Sequence, residues 1–162
     1  MKIKLKIKKM HPDAKLPFKK HDSDFCYDVY ATSVEEIHPD VYRYHTGLAV
    51  QIDRNSIIGS QLWDDKRVIN ADSLLDIDIR PRSSICNTGL VLANSEATID
   101  EAYTGEIMLT FYHVIKSLPV YKVGDRIAQM KFGITLPFDF VEVDELEQTD
   151  RGAGGYGHTG RN

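Results

Sequence analysis

The chain has 162 residues, of which 42% are hydrophobic and 27% charged, which is enough for one buried core and therefore one domain. The formal net charge of −4 argues against a general affinity for nucleic acid, because such binding depends on neutralising phosphates. No apolar run approaches the roughly 18 to 20 residues that cross a bilayer, so we expect no membrane association.

The amino terminus and the cysteines indicate the compartment. The first residues, MKIKLKIKK, contain neither the apolar stretch nor the small-residue cleavage site of a secretory signal. Cys26 and Cys86 are the two cysteines, and neither lies in a spacing that holds zinc or suggests a disulfide framework. The sequence therefore predicts a cytoplasmic protein.

The hydrophobic pattern has a period of two rather than 3.6. Residues 2–7 alternate lysine with isoleucine and leucine, which is typical of an edge strand with a solvated lysine face. Other short runs rich in β-branched and aromatic residues predict strands at residues 27–31, 48–52, 74–79, 90–92, 106–114, 127–134 and 140–143. Since there is no helical stripe, P-loop or dinucleotide-binding glycine pattern, these strands predict an all-β sandwich or barrel.

Two polar clusters stand in the first half of the chain. Asp28 lies within an otherwise apolar strand, where an acid is usually paired, so we expect an arginine to hold it. Residues 80–84, Arg-Pro-Arg-Ser-Ser, offer forked guanidinium groups and hydroxyls around a turn that proline makes rigid. These groups suit the oxygens of a phosphate.

A third cluster follows at residues 94–105. Its first part, residues 94–98, predicts a hairpin that can read a planar base through backbone groups and one amide side chain. Asp100 and Tyr103 come at the exit of this hairpin. Asp100 is a candidate general base for a water, and the Tyr103 ring can stack on a sugar.

The last two clusters are a turn and a glycine-rich end. In residues 124–129, Gly-Asp makes a turn, and alternation places Arg126 and Gln129 on opposite faces of the next strand unless a bulge intervenes. Five of the eleven glycines fall in the last twelve residues, which predicts a flexible arm carrying Arg151 and Tyr156.

Together and in this order, the clusters resemble the motifs of the trimeric all-β dUTP diphosphatase (dUTPase) family: A-G-x-D-L, R-S-G, G-x-I-D-x-x-Y-x-G, G-D-R-I-A-Q and R-G-x-G-G-F-G-S-T-G. Here they read F-C-Y-D-V (25–29), R-S-S (82–84), A-T-I-D-E-A-Y-T-G (97–105), G-D-R-I-A-Q (124–129) and R-G-A-G-G-Y-G-H-T-G (151–160). The resemblance covers nearly the whole chain. It implies a dUTPase-like distorted jelly-roll in residues 1–148, assembly as a homotrimer, and a flexible C-terminal arm in residues 149–162.

The resemblance also implies residue roles. The reaction would be hydrolysis of dUTP to dUMP and diphosphate at sites that draw on more than one subunit. Asp100 would deprotonate the attacking water, Arg151 would stabilise transition-state charge, and Asp28 would support the site through an arginine. The substrate would be bound by Arg82, Ser83, Ser84, Asn94, Thr98, Ile99, Tyr103, Arg126, Gln129, Tyr156 and Gly157. Mg²⁺ is the implied cofactor, held mainly by the substrate phosphates and water, with no direct protein ligand.

Several positions depart from the family pattern. Cys26 and Ser84 replace glycines, while Glu96 and Ala97 stand where many relatives have Pro-Gly, which predicts a shifted hairpin and an added charge near the uracil. The stretch 53–78, which contains Trp63, is longer than the family's usual link and predicts an inserted surface excursion. Such an insertion favours a phage or viral member, located in the host cytoplasm, and offers a surface for a regulatory partner.

Two alternative functions remain open at this point. The related dCTP deaminases share an R-S-S motif but need a glutamate in a pattern like L-E-F, where this chain has Leu109-Thr110-Phe111. The other alternative is a weakly catalytic nucleotide-binding protein that regulates a partner through the 53–78 insertion.

Overall fold

The computed structural model describes residues 3–57, 74–135 and 138–155. Within these ranges the chain is almost entirely β-structure, with two short 3₁₀ turns at Arg54–Ser56 and Ser83–Asn87. The strands are β1 (Leu5–Lys9), β2 (Tyr27–Tyr30), β3 (Ser33–His38), β4 (Val41–His45), β5 (Leu48–Ile52), β6 (Leu74–Arg80), β7 (Leu90–Leu92), β8 (Ala97–Ile99), β9 (Met108–His113) and β10 (Arg126–Thr135). In the described part of the chain, no helix has the length and apolar character needed to span a membrane.

The strands pair antiparallel in three sheets. One four-stranded sheet has the order β2-β10-β6-β8, the other has the order β3-β4-β9-β7, and β1 pairs with β5 in a small third sheet. Neighbours in space are mostly distant in sequence, so the chain crosses repeatedly from one large sheet to the other. The predicted all-β class is therefore confirmed.

The core lies where the inward faces of the sheets meet. Ile79 and Met130 come from one large sheet, Tyr44 and Phe111 from the other, and none of the four is measurably exposed. Burial of each such side chain stabilises the fold by roughly 1.5 to 3 kcal/mol. The strand alternation places polar side chains of β2, β6 and β10 on the outward face, where the candidate site is found.

Most predicted strands are confirmed within a residue or two. The lysine-faced strand predicted at residues 2–7 is also present, but it begins three residues later, at Leu5, with Lys6 and Lys8 exposed and Leu5 and Ile7 packed on the core. Strands β3 and β4 were not predicted. The sequence of β3, SVEEIH, is largely exposed and charged, so it lacks the alternation that would have marked it.

The predicted strand at residues 140–143 is wrong. Phe140 is 99% exposed and Val141 is 78% exposed, and no strand is assigned from residue 138 to residue 155. The residues have high β-propensity, but a strand also needs a partner, and within the described part of this chain they have none.

The predicted hairpin at residues 94–98 is also wrong. Strand β7 pairs with β9 and β8 pairs with β6, so these residues link two different sheets. The turn itself is real: Ser95 has a φ of 57°, a left-handed conformation that turns the chain sharply. Turn residues give the reversal but not the pairing of the strands on either side.

The bounds of the predicted excursion at residues 53–78 need correction. Ile57 is 1% exposed in the core, and β6 begins at Leu74, so both ends of this stretch belong to the β domain. Trp63 and its neighbours, residues 58–73, lie outside the described residues.

Candidate active site

Asp28 is the centre of a hydrogen-bond network on the outward face of β2. Its Oδ1 accepts a hydrogen bond from Arg82 Nε at 2.7 Å, and its Oδ2 accepts one from Arg126 Nη1 at 2.9 Å. The Asp28 side chain is only 16% exposed, so these charge-assisted bonds are partly shielded from water. The pairing expected for Asp28 is present, with two arginines rather than one.

A β-bulge in β10 brings Arg126 to the same face as Gln129. Arg126 lies opposite Tyr30, while Ala128 already lies opposite Val29, which leaves one extra residue, Ile127, on β10. Ile127 and Ala128 both point into the core with no exposure. Of the two arrangements that the sequence left open, the bulged one is therefore the correct one.

The turn after β6 is fixed by its own polar groups. Arg82 Nη1 donates a hydrogen bond to Ser84 Oγ at 3.1 Å, and Gln129 Nε2 donates to the Pro81 carbonyl at 3.1 Å. Ser83 begins the 3₁₀ turn. The predicted phosphate-binding residues on β6 and β10 thus converge in space.

These residues line a cavity of about 500 Å³, which we call the Asp28 cavity. Its lining residues are Phe18, Lys19, Lys20, His21, Ser23, Asp24, Phe25, Cys26, Asp28, Arg82, Ser83, Arg126 and Gln129. Four lysine and arginine side chains face two aspartates, so the cavity is basic. Ser84 is not among the residues that line the cavity.

Sequence reasoning missed one wall of the Asp28 cavity, the loop from Phe18 to Cys26. Lys19 Nζ donates a hydrogen bond to the Asp22 carbonyl at 2.7 Å and lies 5.4 Å from the centroid of the Tyr27 ring. The Lys-Lys-His triplet at residues 19–21 was the signal that could have marked this loop as part of an anion site.

A second cavity, of about 230 Å³, lies at the other edge of the same sheet, and we call it the Asp100 cavity. Its lining residues are Asn94, Ala97, Thr98, Ile99, Asp100, Tyr103, Glu106, Ile107 and Met108. It contains two acids and no lysine or arginine, so its charge is opposite to that of the Asp28 cavity.

Tyr103 is held in place in the Asp100 cavity. Its hydroxyl donates to the Glu106 carbonyl at 2.8 Å. The ring packs against Gly105, where a Cβ would come within 2.6 Å of the Tyr103 hydroxyl oxygen, so only glycine fits. The Glu106 carboxylate, which sequence reasoning missed, accepts a hydrogen bond from the Gly47 N–H at 2.7 Å and contacts His45 Nδ1 at 3.0 Å.

Asp100 differs from its neighbours because its carboxylate makes no hydrogen bond or ion pair to any described residue, and it is exposed to the cavity. The next residue, Glu101, is bound by the Arg54 guanidinium through both carboxylate oxygens. That ion pair raises the pKa of Arg54 above its ordinary value. The loop is therefore anchored beside Asp100, while Asp100 itself stays available.

The departures at residues 96 and 97 are accommodated locally. The Glu96 carboxylate accepts a hydrogen bond from Arg80 Nε, which balances the charge that the sequence places near this cavity. Ala97 is 7% exposed as the first residue of β8. Thr98 Oγ1 donates to Asp78 Oδ1 at 2.9 Å, so its hydroxyl is engaged within the sheet.

The remaining predicted site residues belong to the arm. Arg151 Nε donates to the Gly154 carbonyl at 3.0 Å, and Arg151 lines neither cavity. Tyr156 and Gly157 lie outside the described residues. The structure thus gathers the predicted residues of the β domain into two separate groups, and Arg151, the described site residue of the arm, lies in neither.

Comparison with known proteins places this arrangement in a class of nucleotide hydrolases. The dUTPase family model matches residues 66–160, and a deoxyuridine 5′-triphosphate nucleotidohydrolase of Clostridium tetani is 32% identical over 160 residues, covering 97% of each chain. The chain belongs to the dUTPase family. The predicted resemblance is thereby confirmed.

Solved structures show the same fold. A dUTPase of Staphylococcus bacteriophage 80alpha with dUpNHpp matches with a TM-score of 0.70 and 19% identity, covering 97% of this chain and 98% of that one. A dUTPase from phage phi11 of S. aureus, described with a structural Mg(II) ion, matches with a TM-score of 0.63 and 17% identity, covering 90% and 99%.

The described side chains of the site do not form a ligand set for a resident Mg²⁺. Among the described residues, no three histidine, cysteine or acidic side chains lie close enough together to hold a metal. Both oxygens of Asp28 already accept hydrogen bonds from guanidinium groups, so this carboxylate is a poor ligand for a cation. A metal that reaches the Asp28 cavity must therefore come with its own anionic ligands.

Proposed function

We propose that this protein hydrolyses dUTP to dUMP and diphosphate, by attack of a water on the α-phosphorus. The observation that carries the proposal is the Asp28 network, in which one carboxylate holds two guanidinium groups on the wall of a basic cavity. Relatives at 30 to 32% identity are named deoxyuridine 5′-triphosphate nucleotidohydrolases, which supplies the substrate class.

The triphosphate binds in the Asp28 cavity. Arg82 and Arg126 each direct part of their guanidinium toward Asp28, and the remaining N–H donors are left for phosphate oxygens. Ser83 and Gln129 add neutral donors on the same wall. Because Asp28 orients both arginines before substrate arrives, little conformational entropy is lost when the phosphates bind.

The deoxyuridine binds in the Asp100 cavity. Asn94, Thr98 and Ile99 present backbone and side-chain groups to the base, and the fixed Tyr103 ring packs against the sugar. Contact between the ring and the sugar leaves no room for a ribose 2′-hydroxyl. This contact selects deoxyribonucleotides.

Asp100 acts as the general base. Its carboxylate takes a proton from the water as the water oxygen bonds to the α-phosphorus, and the bond from that phosphorus to the bridging oxygen breaks with diphosphate as the leaving group. Arg151 brings positive charge to the phosphates in the transition state, and Tyr156 with Gly157 covers the base when the arm closes. Residues 138–155 form no strand, so this part of the chain is not held in a sheet and can reach a site.

A homotrimer completes the site. The two cavities share no lining residue and have opposite charge, yet one nucleotide must contact both kinds of surface. This separation favours sites built between subunits, with the triphosphate residues, the nucleoside residues and the arm supplied by different copies. Mg²⁺ would be held mainly by the substrate phosphates and water, and it would supply positive charge to those phosphates.

The setting is a reducing one. Cys26 and Cys86 are both free thiols, and Cys86 is exposed, which suits the cytoplasm, or the host cytoplasm for a phage member. The regulatory partner predicted for the 53–78 insertion stays a prediction.

Thr110 stands at the position where a deaminase needs an acid. It lies on β9, outside the lining of the Asp100 cavity, and this favours hydrolysis over deamination.

The test is diphosphate release from dUTP, dCTP, dTTP and UTP, measured side by side with Mg²⁺ on the full chain and on a chain ending at Asp150. We expect release from dUTP alone. Loss of Arg151 and the rest of the arm should reduce kcat by about a hundredfold or more, as for other arginines that act in phosphoryl transfer. Release of ammonia from dCTP, or no release from any nucleotide, would overturn the proposal.

A further inference from the structure

The Tyr103 ring in the Asp100 cavity is held by a hydrogen bond to a backbone atom. Its hydroxyl donates to the Glu106 carbonyl at 2.8 Å, and its backbone N–H donates to the Asp100 carbonyl at 2.9 Å. Tyr103 is 42% exposed, so packing against the rest of the chain does not fix the ring by itself. The position of the ring therefore depends on where the Glu106 carbonyl lies.

The backbone beyond Glu106 is anchored to the link between β4 and β5. The Ile107 N–H donates to the Leu48 carbonyl at 2.8 Å, and the Ile107 carbonyl accepts a hydrogen bond from Thr46 Oγ1 at 2.7 Å. On the other side of Glu106, the chain enters through Gly105 and is in no strand. Glycine has the largest conformational freedom of any residue, so a second anchor is needed on that side.

The Glu106 side chain supplies the second anchor. Its Oε1 accepts a hydrogen bond from the Gly47 N–H at 2.7 Å, and its Oε2 lies 3.0 Å from His45 Nδ1. Because a carboxylate can only accept, the His45 Nδ1 that faces it carries the proton. The Glu106 side chain is 21% exposed, so both charge-assisted bonds are partly shielded from water.

The two partners of this carboxylate are themselves fixed. Gly47 has a φ of 66°, and a Cβ there would come within 2.8 Å of His11 Cβ, so the turn that presents its N–H accepts only glycine. His45 is the last residue of β4, where it pairs with Met108 of β9, and its Nε2 lies 3.5 Å from Glu35 Oε1. Glu106 thus binds a pair of donors that the fold has already placed.

We propose that Glu106 and His45 are positioning residues for sugar discrimination. By holding the Glu106 carbonyl in place, they keep the Tyr103 ring where it excludes a ribose 2′-hydroxyl. Both Glu106 carboxylate oxygens already have partners, so this residue acts through Tyr103 and not on the nucleotide. The inference rests on the proposed function, since it assumes that the Asp100 cavity binds the nucleoside of dUTP.

The experiment compares Glu106→Ala, Tyr103→Phe and the double variant with the unmodified chain. Diphosphate release from dUTP and from UTP gives kcat/KM for each nucleotide, and the ratio of the two values is the selectivity. We expect Glu106→Ala to lower the selectivity by about three- to tenfold, as for the loss of a hydrogen bond that holds the ring. The KM for dUTP should rise while kcat changes little, because Asp100 is untouched.

The other variants test the route of the effect. Tyr103→Phe keeps the ring but removes its bond to the Glu106 carbonyl, so it should lower the selectivity as well. The double variant should lose no more than the larger single loss, because both changes break the same connection. Glu106→Gln keeps an oxygen for the Gly47 N–H and should retain more selectivity than Glu106→Ala. It carries the same comparison if Glu106→Ala does not fold.

Glu36→Ala is the matched control. Glu36 also accepts a backbone N–H from a left-handed turn residue, Asp40, at 2.9 Å, but it lines neither cavity. Its loss should lower Tm slightly and leave the selectivity unchanged.

Unchanged selectivity in Glu106→Ala, an equal change in Glu36→Ala, or losses that add in the double variant would overturn the inference while the proposed function stands. If the unmodified chain releases no diphosphate from dUTP, the proposed function fails and the inference falls with it.

Discussion

The two cavities handle their aspartates in opposite ways. Asp28 is largely buried, and both of its oxygens already accept hydrogen bonds from guanidinium groups. Its carboxylate is therefore not free to accept a proton. Asp100 is exposed and has no side-chain partner among the described residues, although its neighbour Glu101 is held by Arg54. A carboxylate that is fully paired can orient other groups, whereas one that is left unpaired can accept a proton.

The same contrast extends to the surroundings of each acid. The Asp28 cavity is built on paired strands, with the bulge of β10 fixing where Arg126 and Gln129 point. The Asp100 cavity is built around a link between sheets and the loop that follows β8. In the proposed mechanism, the triphosphate is bound by side chains on paired strands, and the proton is accepted by a carboxylate in the loop after β8.

The largest effect should come from Asp100→Asn. Without a carboxylate to accept the proton of water, kcat for dUTP should fall by about a thousandfold, within the range for loss of a general base. Affinity for dUpNHpp should change by less than about threefold, since no described hydrogen bond is lost. Diphosphate release and calorimetry measure the two quantities. A fall in affinity as large as the fall in kcat would mean that Asp100 is a binding residue.

Asp28→Asn should show the reverse pattern. It leaves Arg82 and Arg126 facing each other without a counter-charge, so the free energy of unfolding in urea should fall by roughly 2 to 3 kcal/mol, less than for a fully buried pair. Affinity for dUpNHpp should fall with it. The matched control is Asp24→Asn, an acid of the same cavity that accepts a hydrogen bond from the His21 N–H at 2.9 Å and pairs with no arginine. Equal losses in both variants would contradict the role assigned to Asp28.

A more gradual effect on stability should appear at high pH. Burial raises the pKa of Tyr44 from 10.0 to about 12, so the unfolded chain loses this proton before the folded one does. Stability is therefore unaffected below pH 10, falls as the pH rises toward 12 and levels off above it, with a loss of about 2 to 3 kcal/mol from this group. Urea unfolding at several pH values measures the slope. Tyr44→Phe should flatten it, and an unchanged slope would contradict the assignment.

The sequence predicted the parts of the site that depend on local chemistry. An acid within an apolar strand needs a partner, and Asp28 is indeed paired with arginine. The sequence also showed that Arg126 and Gln129 share a face only if a bulge lies between them. It could not predict pairing between distant strands. Residues 94–98 have the turn chemistry of a hairpin yet join two sheets, and Phe140 has the propensity of a strand yet has nothing to pair with in the described chain.

Other parts were hidden because their role comes from position alone. Tyr121 reads in the sequence as an ordinary core aromatic, and only the folded chain shows that its buried hydroxyl has no hydrogen-bond partner among the described residues. Glu106 likewise reads in the sequence as an ordinary acid at the start of a predicted strand. Its contacts to Gly47 and His45 join segments that lie about sixty residues apart in the chain.

The extra residue in β10 gives this strand an unusual tolerance to change. Replacing Ile127 with valine would keep the number of residues between Arg126 and Gln129, and both would still face the cavity. Deleting Ile127 would remove the bulge and leave Arg126 and Gln129 two positions apart, so that strict alternation would again place both on the outward face. The core would, however, lose a fully buried isoleucine side chain. Selection at this position therefore acts on the packing of the core, while the direction of the two polar side chains is kept with or without the extra residue.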